Sequence, residues 1–88
     1  MFVKFRKLSW IVENHKISYF LKDIFLNREH ILSIYETDPE IHPDAHGSML
    51  GPFTDIIVTS NSTKETITVI GTPEKIIETI NKKRILHD

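Results

Sequence analysis

The sequence predicts an α+β domain: a small antiparallel sheet of four to six strands, partly curled, with a C-terminal helix packed on it. Three observations predict it. Residues 54–60 and 65–70 are β-prone runs around the polar turn Asn61-Ser62-Thr63-Lys64. Residues 8–12 and 17–21 form a second such pair around Glu13-Asn14-His15-Lys16. Finally, Thr72-Pro73 reads as a helix start, with Thr72 at the N-cap and Pro73 at the first helical position, where its missing N–H costs nothing.

Taken in order, Phe2, Val3 and Phe5 open a short β-prone run, and Trp10, Ile11 and Val12 follow in the next one. After the Asn14 turn the chain alternates, with Ile17, Tyr19 and Leu21 on one side and Ser18 and Phe20 on the other. Trp10, Tyr19 and Phe20 are expected in the core of so small a domain. Residues 22–26 suit a doubly covered strand or a short helix, 27–30 a turn, and 31–36 a strand. A helix over residues 20–35 is the alternative, because Leu21, Ile24, Phe25, Arg28, Ile31, Leu32 and Tyr35 partly follow a 3.6-residue period.

Residues 37–53 are expected to form a loop, because Pro39, Pro43, Gly47, Gly51 and Pro52 interrupt any helix or central strand. That loop exceeds the ~12–15 residues at which structureless connections become uncommon. In the last hairpin Ile67 and Val69 face inward. Gly71 ends the strand, Ile76, Ile77 and Ile80 form the apolar stripe of the final helix, and Lys82, Lys83 and Arg84 give its C-terminus the favourable charge sign.

A chain of 88 residues has room for one core, so residues 1–88 read as a single domain. With no cysteine, the chain has no disulfide, thiolate metal site or cysteine nucleophile. No apolar run approaches the ~20 residues of a membrane span. Arg6 and Lys7 interrupt what a signal peptide would need, and a cytoplasmic location without membrane contact is expected.

The net charge of −1 gives no global attraction for nucleic acid, but the charges are segregated. No Lys or Arg lies between Arg28 and Lys64, where Glu29, Glu36, Asp38, Glu40, Asp44 and Asp55 occur. The ends are basic, with Lys4, Arg6 and Lys7 at one and Lys82, Lys83 and Arg84 at the other.

There is no G-x-S-x-G elbow, no phosphate-cradling glycine loop and no H-E-x-x-H, so no catalytic residue is assigned and no enzyme is expected. His42 and His46, flanked by Glu40 and Asp44, are zinc-binding residue types. Pro43 breaks the helix that would set both rings on one face, and no third ligand is specified, although His30 or Asp38 could serve. No metal site or cofactor is therefore assigned. A loop responsive to pH through His42 and His46 is the third reading.

The leading expectation is a non-catalytic interaction or regulatory module that binds a protein partner and forms homo-oligomers. Its docking residues would be Glu36, Asp38, Glu40, His42, Asp44, His46, Met49, Leu50 and Phe53, an acidic loop with an apolar cluster. The alternative is nucleic-acid binding by Lys4, Arg6, Lys7, Lys82, Lys83 and Arg84, with the aromatic residues Phe2, Phe5 and Trp10 interleaved with the N-terminal basic ones.

Phe25-Leu26-Asn27-Arg28-Glu29-His30-Ile31, the hairpin at 54–70 and the helix at 72–83 follow the element order of a known group. In this order the chain resembles small flagellar-operon proteins of the FlbD type, which have an I/L-N-x-x-x-I corner between strands, then a Thr-rich hairpin and a closing helix. That family is not an established enzyme group, so the resemblance implies a non-catalytic role. The N-terminal strands and the long loop depart from its pattern, and the flagellar role is not carried over.

Overall fold

Asn14 and Asn61 each open a tight hairpin turn. Backbone φ is 51° at Asn14 and 64° at His15, then 50° at Asn61 and 70° at Ser62. Positive φ at both central residues defines a type I′ turn, whose twist matches that of the strands it joins. In the computed structural model, which describes residues 1–41 and 51–85 with 82–85 as backbone alone, each turn closes a hairpin. The first joins β1 (Phe2–Glu13) to β2 (Lys16–Asn27). A 3-10 turn (Arg28–His30) leads to β3 (Ile31–Glu36), and the second hairpin joins β4 (Phe53–Ser60) to β5 (Thr63–Ile70).

The expected α+β class is what the structure shows, a five-stranded antiparallel sheet, not closed, with one C-terminal helix. The strand order is β2-β1-β5-β4-β3. The alternative helix over 20–35 does not form. Ile17 to Asn27 stay paired along β1, and Asn27 then caps the 3-10 turn, its side-chain oxygen accepting from Glu29 N at 3.1 Å. β1 is also one continuous strand rather than two runs, paired from Phe2 opposite Asn27 to Glu13 opposite Lys16 without a register shift.

The two runs seen in the sequence reflect a change of buried side. Val3 and Phe5 face the main core with Leu26, Ile56, Val58, Ile67, Val69 and Ile76. Leu8, of opposite parity, packs instead with Phe53 in a second cluster that includes Tyr19, Leu21 and Ile70. The hairpin therefore uses one side near its base and the other further up, as alternation along a pleated strand allows.

The helix α1 (Pro73–Ile85) begins as its sequence predicts. Thr72 Oγ1 accepts from Lys75 N at 3.2 Å, the N-cap bond, and Glu74 lies in the first turn. Gly71, at φ +120°, makes the bend before it. Its N–H donates to Pro52 O at 2.8 Å and its carbonyl accepts from Thr54 Oγ1 at 2.7 Å, which ties the bend to the start of β4. Ile76 is buried against the main core and Ile80 packs beside it. Ile77 is not part of the buried stripe: it is 46% exposed, because it sits one residue, about 100° of helix turn, from Ile76. No described helix is long and apolar enough to cross a membrane.

Candidate functional site

The acidic segment leaves the sheet at Glu36, the exposed last residue of β3. Its two ends are tied together, since Thr37 N–H donates to Phe53 O at 3.2 Å. Asp38 then folds the chain locally: its side-chain Oδ1 accepts from Glu40 N at 2.9 Å and its backbone carbonyl from Ile41 N at 3.1 Å. Asp38 and Glu40 are exposed, so Glu36, Asp38 and Glu40 form an acidic rim at this end of the sheet. His42, Asp44, His46, Met49 and Leu50 lie outside the described residues. Among the described residues no group of His, Asp or Glu could hold a metal ion.

Phe53 requires a correction. It is the first residue of β4, opposite Ile70, and is fully buried beside Leu8. It anchors the end of the segment in the core and presents no surface to a partner. The strand starts one residue earlier than the sequence reading placed it, because Phe53 is in register with Ile70.

The N-terminal basic residues divide between the two sides of β1. Lys4 and Arg6 point away from the main core and converge on Asp23 of β2, at 3.4 Å and 4.0 Å. All three side chains are more than half exposed, so these pairs add little stability. Lys7 points to the other side and lies half-buried opposite Val69. Lys82, Lys83 and Arg84 belong to the last turns of α1, whose Ile76 packs with Val3 and Phe5 on the side of β1 opposite Lys4 and Arg6. Phe25 is cross-strand from Lys4 and, like Phe2, 62% exposed.

The feature that the sequence reading missed is the upper half of the first hairpin. β1 registers with β5 through one pair, Lys7 opposite Val69. Beyond it the hairpin continues through Val12 opposite Ile17 to its turn. Trp10 and Phe20, expected in the core, are instead about half exposed, as is Ile11, while Val12 and Ile17 are more so. Only Tyr19 of the expected trio is partly buried, packed on the second cluster, with its ring 6.3 Å from that of Trp10. One side of this arm carries Leu8, Trp10, Val12, Ile17, Tyr19 and Leu21, and the other carries Ile11 and Phe20 between Ser9 and Ser18. The signal was present: Trp10-Ile11-Val12 puts large apolar residues on both sides of a strand beside the tip of a two-residue hairpin, where no third strand was predicted.

No family model, curated protein or solved structure matches the chain.

Proposed function

We propose that this chain is a non-catalytic interaction module of the cytoplasm, regulatory rather than chemical, which binds another protein and also associates with itself. The observation that carries this reading is the apolar arm. At roughly 150–200 Å² of accessible surface per side chain of this size, Trp10, Ile11, Val12, Ile17 and Phe20 leave on the order of 450 Å² of apolar surface in water, divided between the two sides of the arm. The larger share, about 300 Å² on the side of Trp10, Val12 and Ile17, matches the largest apolar patch of a typical monomer, a patch that is often functional. The arm has only Glu13 and Lys16 as charges between Leu8 and Leu21, so a protein surface suits it better than a polyanion. Glu36, Asp38 and Glu40 supply a separate acidic surface for selecting a partner by charge.

The test is sedimentation across a concentration series, together with affinity capture from native lysate in nuclease-treated and untreated arms. Association or nuclease-resistant capture is expected. A chain that stays monomeric and retains no protein rules this reading out.

Phe25 beside Lys4 supports a second reading, in which Lys4, Arg6, Lys7, Lys82, Lys83 and Arg84 serve nucleic-acid binding. It predicts salt-sensitive retardation of single-stranded DNA or RNA that Lys4→Glu weakens, and no shift at low salt removes it.

A further inference from the structure

We infer that the partner of the arm is a second copy of this chain, joined through the outer edge of β2 in antiparallel register with a two-fold axis at Leu21. This rests on the protein-binding reading above and adds to it the identity of the partner and the register of the contact.

The two edges of the sheet are treated differently. β3 is short, and its pairing with β4 shifts register between Ile31 and Ser33, an irregularity that blunts an edge. β2 is the opposite edge and spans 12 residues in unbroken register with β1, with no proline and no bulge. Among the described residues no strand lies against its outer side. A long, regular edge is a template for another strand, and Lys16, Lys22 and Asp23 are the charges that any pairing along this one must accommodate.

The register follows from the turn. Glu13 and Lys16 flank a two-residue loop, so they form a hydrogen-bonded pair, and such pairs recur at every second residue. The even-numbered residues of β2 thus turn their backbone groups towards β1. The odd-numbered ones, Ile17, Tyr19, Leu21, Asp23 and Phe25, turn theirs to the open edge. Two copies related by a two-fold axis in one continuous sheet must pair residues of the same parity, because opposite residues share a face.

Near the middle of β2 the axis can then fall at Leu21, Lys22 or their neighbours. At Lys22 or Asp23 each charge would oppose its own copy, and at Tyr19 Lys16 would oppose Lys22, all unfavourable. An axis at Phe20 sets Ile17 against Asp23. An axis at Leu21 avoids each of these, sets Asp23 against Tyr19 and Lys16 against Leu26, and lets the strands overlap from Lys16 to Leu26. It places Ile17, 53% exposed, opposite the similarly exposed Phe25 of the second copy, and Phe20 opposite Lys22, where the ammonium can lie on the ring. Ile17, Phe20 and Phe25, the exposed apolar residues of β2, therefore all find partners in a central register that opposes no like charges.

The chain has no cysteine, so introduced thiols report the register alone. Phe20 and Lys22 are exposed, and in this register they form a non-hydrogen-bonded pair with Cα atoms about 4.5 Å apart, close enough for a disulfide. Oxidising an equimolar mixture of Phe20→Cys and Lys22→Cys chains should give a cross-linked dimer whose mass is that of one of each. Either variant alone should give at least tenfold less. Ser18→Cys with Ile24→Cys is a second pair of the same kind and should behave alike. Sedimentation of the unaltered chain accompanies both. Dimers that cross-link no better in the mixtures overturn the Leu21 register while leaving self-association standing. A strict monomer that still captures a protein overturns the second copy as partner and leaves the protein-binding reading intact.

Discussion

The hydroxyl of Thr37 donates a hydrogen bond to Asp55 Oδ1 at 2.9 Å, which fastens the chain just after β3 to the neighbouring strand β4. Thr68 on β5 donates to the same oxygen at 2.6 Å, so one carboxylate oxygen links three segments. Thr37 is buried, which leaves its hydroxyl few alternatives. Asp55→Ala is expected to lower the unfolding free energy by about 1–3 kcal/mol, the cost of stranding buried donors. Asp55→Asn should cost less, since its amide oxygen still accepts. Urea denaturation of both variants checks this, and an Asp55→Ala chain as stable as the parent would show that the link contributes nothing.

Ile76 and Ile77 are adjacent in sequence and opposite in fate. Ile76 is buried in the main core and its Cδ1 lies 3.4 Å from where a Cβ on Gly71 would be. Ile76→Ala should therefore cost about 2–5 kcal/mol, whereas Ile77→Ala should change stability by no more than about 0.5 kcal/mol. The contrast between the two melting curves tests how α1 is rotated about its axis.

The parts of this fold that were legible in the sequence are those fixed by local chemistry. Asn61 with Ser62 and Thr72 with Pro73 announce a turn and a helix start whatever surrounds them, and both occur, although Thr63 and Lys64, read as part of the turn, already belong to β5. Where a side chain's fate depends on a distant neighbour, the reading failed. Trp10 and Phe20 have the composition of core residues, but β1 meets β5 at Lys7, below them, and nothing local reports where that contact stops. Phe53 follows a Gly-Pro pair that looks like loop, yet its pairing with Ile70 places it in the core. The change of buried side between Phe5 and Leu8 broke the period that would have shown β1 as one strand. Of the candidate site, the acidic rim at Glu36, Asp38 and Glu40 was legible because exposure follows from charge.

The turn residues give a stabilising prediction. Ser62 holds φ at 70°, a conformation that costs an L-residue roughly 1–2 kcal/mol and a glycine almost nothing. Part of that gain is offset by the greater backbone entropy of glycine in the unfolded chain, about 0.5–1 kcal/mol. Ser62→Gly should therefore raise stability by about 0.5–1 kcal/mol net, as Asn-Gly is the preferred pair for a type I′ turn. His15→Gly should act in the same direction but more weakly on global unfolding, because its hairpin tip lies far from both buried clusters. A Ser62→Gly chain less stable than the parent in urea would mean that the turn is not held as described.

Ile11 and Val12 separate the needs of the fold from those of the surface. Both are exposed on β1 and contribute to neither buried cluster, so the fold has little use for their apolar side chains. Threonine keeps the β-branched shape that favours a strand and puts a hydroxyl in place of an ethyl group at Ile11 and of a methyl at Val12. The double variant Ile11→Thr, Val12→Thr should keep its urea midpoint to within about 0.5 kcal/mol of stability. It should also bind less of a hydrophobic dye such as ANS in the native state and retain less protein in affinity capture. The β2 cross-links should survive, because both substitutions lie on β1, away from the edge that pairs. A variant that unfolds more easily while losing neither dye nor partner would make these two side chains structural, and the arm an ordinary extension of the sheet.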